Sequence, residues 1–138
     1  MPSSTGATLV TSGTNTNSGV AWTSPGNITL DDGSNAVVAT TAGQNSQQLT
    51  GTGLGFSVPT NATIVGIELT VHGMVSTSQQ QFVRLTKDGT NIAGSNKTAT
   101  QGTTANTVTY GSSADLWGTT WAPSDVNAST FGGQFLTQ

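Results

Sequence analysis

A chain of 138 residues in which only 7% are Asp, Glu, Lys or Arg has the length of one domain and far less charge than the roughly 25% of an ordinary soluble one. Its net charge of −3 and its three cations, Arg84, Lys87 and Lys97, disfavour nucleic acid and anionic membrane surfaces as partners, since both must be neutralised by Lys and Arg. The absence of cysteine excludes disulfides, thiolate chemistry and Cys-based zinc sites.

The segment from Met1 to Gly6 has neither a basic start nor an apolar stretch, so no secretory signal is expected there. Residues 1–19 are rich in Ser, Thr, Gly and Asn, with Leu9 and Val10 as the main apolar interruption. They read as an arm, flexible or bridging to a neighbouring subunit, and residues 20–138 read as the folded domain. From Val20 onward the hydrophobic period is two. Strands are expected at Ala36–Thr41, at Gln47–Thr50 and over Gly53–Val58, which ends at Pro59. The strongest strand spans Ile64–Val75, with Ile67, Leu69, Val71, Gly73 and Val75 on one face and Glu68, Thr70, His72 and Met74 on the other. Ile64 is out of phase with that row, which predicts a bulge near Gly66.

Phe82–Lys87 and Thr90–Ala93 flank Asp88-Gly89, the signature of a two-residue hairpin turn. Thr107–Tyr110 and Phe131–Leu136 complete the strands. A single short helical turn is expected near residues 122–127, where Pro123 suits a first-turn position and Asp125 complements the free N–H groups. The pattern is that of an all-β, two-sheet β-sandwich, jelly-roll-like, with one helical turn.

Three strings resemble a known family: Gly55-Phe56-Ser57-Val58-Pro59-Thr60-Asn61-Ala62-Thr63-Ile64-Val65-Gly66-Ile67-Glu68-Leu69, Tyr110-Gly111-Ser112-Ser113-Ala114-Asp115-Leu116-Trp117-Gly118 and Trp121-Ala122-Pro123-Ser124-Asp125-Val126-Asn127-Ala128-Ser129-Thr130-Phe131-Gly132. In order, they are similar to β-sandwich domains of tailed-bacteriophage virion and surface proteins. The similarity spans roughly residues 20–135. It implies a virion structural protein, first of all a capsid decoration or cement protein. Its partners would be copies of itself, as a trimer by the habit of such proteins, and the major capsid or another virion protein. Its place would be the virion surface, reached after assembly in the host cytoplasm. The resemblance carries over no catalytic residue. Phe56 and Ile67 are expected in the core, and Asp115, Trp117, Trp121 and Asp125 at a corner that holds a long connection on the sheet. Two departures stand out. Ala122 replaces the Ser or Thr usual before the proline, and the chain ends at Gln138 where similar sequences run on through another strand. The sheet is therefore expected to be completed by the arm, its own or a partner's.

Other chemistry has thinner support. His72 and Glu68 share a strand face about 13 Å apart, too far for a base and its orienting group, and no Gly-x-Ser-x-Gly string is present, so no enzyme is expected. Asp31-Asp32-Gly33 offers two carboxylates, a weak calcium candidate beside a plain turn. Trp22 and Tyr110 are the candidate ligand-facing aromatics of the alternative reading, a carbohydrate- or receptor-binding module of a phage tail, fibre or bacterial surface. The Asn-x-Ser/Thr triplets at Asn27, Asn61, Asn96 and Asn127 are no more than chance supplies in so Ser/Thr-rich a chain.

Overall fold

Seven strands form two antiparallel sheets that pack together as an all-β sandwich, in a computed structural model that describes residues 3–76 and 79–138. Met1 and Pro2, the start of the expected arm, lie outside the described residues. In chain order the strands are β1 (Ser12–Thr16), β2 (Gln48–Thr52), β3 (Ile67–Gly73), β4 (Gln81–Thr86), β5 (Ala93–Thr98), β6 (Asn106–Ser112) and β7 (Gly132–Thr137). One sheet has the order β1-β2-β7-β4-β5, and the other contains β3 and β6. A 3-10 turn covers Pro25–Thr29, and the helical turn α1 covers Pro123–Asn127.

Part of the segment 1–19 is a strand. β1 pairs with β2 from Ser12↔Thr52 to Thr16↔Gln48 and forms one edge of the large sheet. Side-chain bonds from Asn15 and Thr16 help to hold it there. Asn15 exchanges two with the backbone of Trp22, and the Thr16 and Thr50 hydroxyls lie 2.7 Å apart.

β3 behaves as its alternation predicts. Ile67, Leu69 and Val71 are half-buried and pack against the core, while Glu68, Thr70 and His72 are exposed. The expected bulge near Gly66 is absent, and β3 pairs with β6 without a break from Ile67↔Ser112 to Gly73↔Asn106. Gly66 instead permits a close approach: a Cβ there would sit 2.2 Å from the Ser113 backbone. The register irregularity falls in β4 opposite β5, between Val83 and Leu85.

Three other expectations are corrected. Asp88-Gly89 is not a two-residue hairpin turn. Leu85 pairs with Ala93, so the connection is longer, and Thr90–Asn91 belongs to the loop rather than to a strand. The Asp88 carboxylate accepts N–H groups from Thr90 and Asn91 and the Asn91 side-chain amide, winding the loop around itself. The loop then bends over the sheet, where the Thr90 carbonyl accepts from Asn17 and from Gln134. Ala36–Thr41 is extended but has only an isolated bridge, Val37 to Thr23. Gly53–Val58 continues past the end of β2 without a partner strand.

The core lies between the sheets. Val83 and Leu85 come from β4, Tyr110 from β6, and Trp117, Trp121, Val126 and Phe131 from the connection between β6 and β7. Residues of opposite parity, Arg84, Thr50 and Gln134, lie on the other face of the large sheet. There Gln134 is buried with its amide donating to Thr50, Thr16 and Thr90.

Candidate functional site

The corner residues expected from sequence come together around the connection 113–131. Trp117 is 1% exposed and adopts φ 57, a left-handed conformation that costs a non-glycine residue on the order of 1–2 kcal/mol. Its surroundings hold it in that state. The Asp115 carboxylate accepts the Trp117 backbone N–H at 2.8 Å, and the indole N–H donates to the Ile67 carbonyl at 2.8 Å. Gly111 leaves the room required, since a Cβ there would lie 2.8 Å from the indole nitrogen and 2.3 Å from the Ile67 carbonyl oxygen.

The same three residue types recur at the far end of the connection. Lys97 pairs with Asp115 and lies 4.8 Å from the Trp117 ring centre; Lys87 pairs with Asp125 at 2.9 Å and lies 5.0 Å from the Trp121 ring centre. Each clamp joins a strand of the large sheet, or its end, to the long connection through an ion pair and a cation–π contact. The Asp125 carboxylate also accepts the Ala122 backbone N–H at 2.8 Å, so the missing hydroxyl at Ala122 leaves one half of a reciprocal helix cap in place. The Asp115 carboxyl is held below the ordinary range chiefly by Lys97 and then by the Trp117 N–H. The Asp125 carboxyl is lowered chiefly by the Ala122 N–H and then by Lys87. Both clamps brace the fold, and both ion pairs are partly exposed. Phe56 packs on Phe131 with ring centres 6.2 Å apart, and Ile67 packs half-buried on the same cluster.

Of the two aromatics nominated for a ligand, Tyr110 is held in the core and Trp22 lines a groove beside β3. Tyr110 is buried; its hydroxyl donates to Gln101 at 2.7 Å and accepts from the Thr100 N–H at 2.9 Å. Trp22 is half-buried, edge-on to Phe135 with ring centres 6.0 Å apart, and its indole N–H donates to the Gln47 carbonyl. His72 is exposed and shares a 2.7 Å hydrogen bond with the Thr107 hydroxyl across the strands. Asp31 and Asp32 are exposed in their turn, and Asp32 accepts the Ser34 N–H, which lowers its carboxyl pKa. Among the described residues no three His, Asp or Glu side chains converge in a way that would hold a metal.

Sequence reading singled out Trp22 as ligand-facing but not the large groove that it lines. The small sheet covers only part of the large one, and the two make contact where Leu69 lies over Gly133. Beside that contact runs a groove of about 1840 Å³. Leu49 and Phe135 line it from the large sheet, Ile67, Leu69 and Val71 from β3, and the segments 3–10 and 33–40 along its sides. It is larger than the 300–1,000 Å³ typical of small-molecule pockets. Of the six exposed large hydrophobics among the described residues, five line it: Leu9, Leu30, Val37, Val65 and Met74. A signal for it was present in the strand-like Ala36–Thr41, which folds without a strand partner. No family model, curated protein or solved structure matches this chain.

Proposed function

We propose that this protein is a non-enzymatic structural component of a virus particle, a decoration or cement protein on the capsid of a tailed phage. The observation that carries the reading is the treatment of charge. Lys87 and Lys97 are folded onto Asp125 and Asp115 and onto tryptophan rings, and the Arg84 guanidinium is half-buried, its pKa lowered by desolvation. What faces outward is mainly Thr, Ser, Asn, Gln and Gly, with five of the six exposed large hydrophobics among the described residues at one groove. Such a surface holds a partner by apolar burial and neutral hydrogen bonds, the kind of contact a particle-bound protein needs and one that salt screens little. The resemblance of the three strings to phage β-sandwich domains favours the same reading.

The test is co-sedimentation of the purified protein with tailed-phage capsids from the source of the chain, at low and at high salt. Binding that persists into high salt is expected. Release at moderate salt, or no binding to any particle, would overturn the proposal.

A further inference from the structure

The free edge of β3 and the groove beside it require a partner strand, and we infer that a second copy of this chain supplies it. Ile67 N–H bonds on the β6 side, to the Asp115 carbonyl, and Val75 N–H does the same with Gly102. Alternation then directs the backbone groups of Leu69, Val71 and Gly73 to β6 and those of Glu68, Thr70 and His72 to the other side. On that side no strand of the described chain pairs with β3. A row of free N–H and C=O groups next to an apolar trough is a template for strand addition.

Three observations make a second copy the occupant. First, the groove walls offer a surface of the order of the roughly 800 Å² that one partner contributes to a standard interface, the scale of a second copy rather than of a small ligand. Second, the lips of the groove carry the exposed hydrophobics, Val37 at 57% and Met74 and Leu9 at 58% among them, and two such lips facing each other bury both sets. Third, the chain holds a strand to offer. In Ala36–Thr41 the half-buried Ala36, Val38 and Thr40 alternate with the exposed Val37, Ala39 and Thr41, and the segment carries no charge. The interface is isologous: each copy lays its Ala36–Thr41 segment along the β3 edge of the other. This deepens the reading of a particle protein by naming its self-contact, and it stands on geometry that does not depend on the particle.

The experiment is sedimentation velocity of the isolated full chain over a micromolar concentration series, with three variants. Thr70→Pro removes an edge N–H that the β3–β6 ladder does not use. Thr109→Pro, on β6, loses the same Thr70–Thr109 hydroxyl pair but modifies the opposite edge. Val37→Asp charges an exposed side chain of the donated segment. Circular dichroism and thermal melting check that each variant folds, and should Thr70→Pro fail to fold, Val37→Asp decides. The wild type and Thr109→Pro are expected to associate, with Thr70→Pro and Val37→Asp at least tenfold weaker. A wild type that stays monomeric, association that survives Val37→Asp or a folded Thr70→Pro, or equal loss in a folded Thr109→Pro would each overturn the inference. Copies that associate yet bind no particle would sink the function proposed above and leave this interface standing. A monomer that binds particles would do the reverse, giving the groove to a capsid protein.

Discussion

Tyr110 shows how much one polar atom organises here. Its hydroxyl satisfies Gln101 Oε1, and the Gln101 amide in turn donates to the Val71, Gly73 and Asn106 carbonyls where β3 and β6 meet. Tyr110→Phe keeps the ring and removes the hydroxyl, leaving a buried amide oxygen and the Thr100 N–H unpaired. A loss of about 1–3 kcal/mol is expected in urea unfolding, with an unchanged m-value. A loss under about 0.5 kcal/mol would show that water enters the site. From sequence, Tyr110 could be read as a face for a ligand or as filling for the core, because an aromatic on an alternating strand suits either. Only its partner, Gln101, nine residues earlier in the chain, decides between them. The lysine clamps were hidden for a related reason. Asp115, Trp117, Trp121 and Asp125 were legible as a corner group, but Lys87 and Lys97 reach them from other strands, and no local pattern encodes that reach.

Among the elements, β1 carries a testable weight. It covers one side of β2, gives the Asn15 amide to Trp22 and places Thr16 beside Thr50 and Gln134. Deleting residues 1–19 should lower the melting temperature by roughly 5 °C or more, given that 1 kcal/mol moves a domain of this size by about 2–8 °C. An unchanged melting temperature would mean that β1 contributes no net stability. Strand legibility follows the number of partners. β3 and β6 were visible because one face is buried and polar residues alternate with apolar ones. Ala36–Thr41 has the same alternation, yet pairing is a property of two segments, and this one has only a bridge at Val37. Asp88-Gly89 misled differently. The dipeptide favours a tight turn, but the Asp88 carboxylate captures the next N–H groups, and the loop widens to reach Gln134. Of the groove only Trp22 and the strand-like Ala36–Thr41 were legible, since the groove itself exists because one sheet has two strands and the other has five.

Across the whole molecule charges are few and several carboxylates are held by hydrogen bonds, which makes acid a sharp probe. Asp88, Asp115 and Asp125 all have carboxyl pKa values below the ordinary range near 4, through hydrogen bonds to Asn91, Lys97 and Ala122 first of all. A carboxyl whose pKa is lower when folded contributes stability that is complete above its unfolded value and is lost as pH falls through its folded value. Thermal melts should therefore be flat from neutral pH down to about 5 and then decline below about 4. Asp115→Asn and Asp125→Asn should start lower and show a shallower acid limb. A decline already under way at pH 6 would show that these carboxylates do not set the acid limb.

The placement of β2 between β1 and β7 has a mechanical meaning. Both neighbours run antiparallel to it, so they run parallel to one another, and the leading end of β1 lies beside Thr52 while the trailing end of β7 lies toward Gln48. Tension that draws the two termini apart is thus directed along the strands and loads two rows of hydrogen bonds together, in shear, where an opposite arrangement would let them peel one by one. Force applied along the strands through β1 and β7 therefore meets this sheet in its most resistant direction.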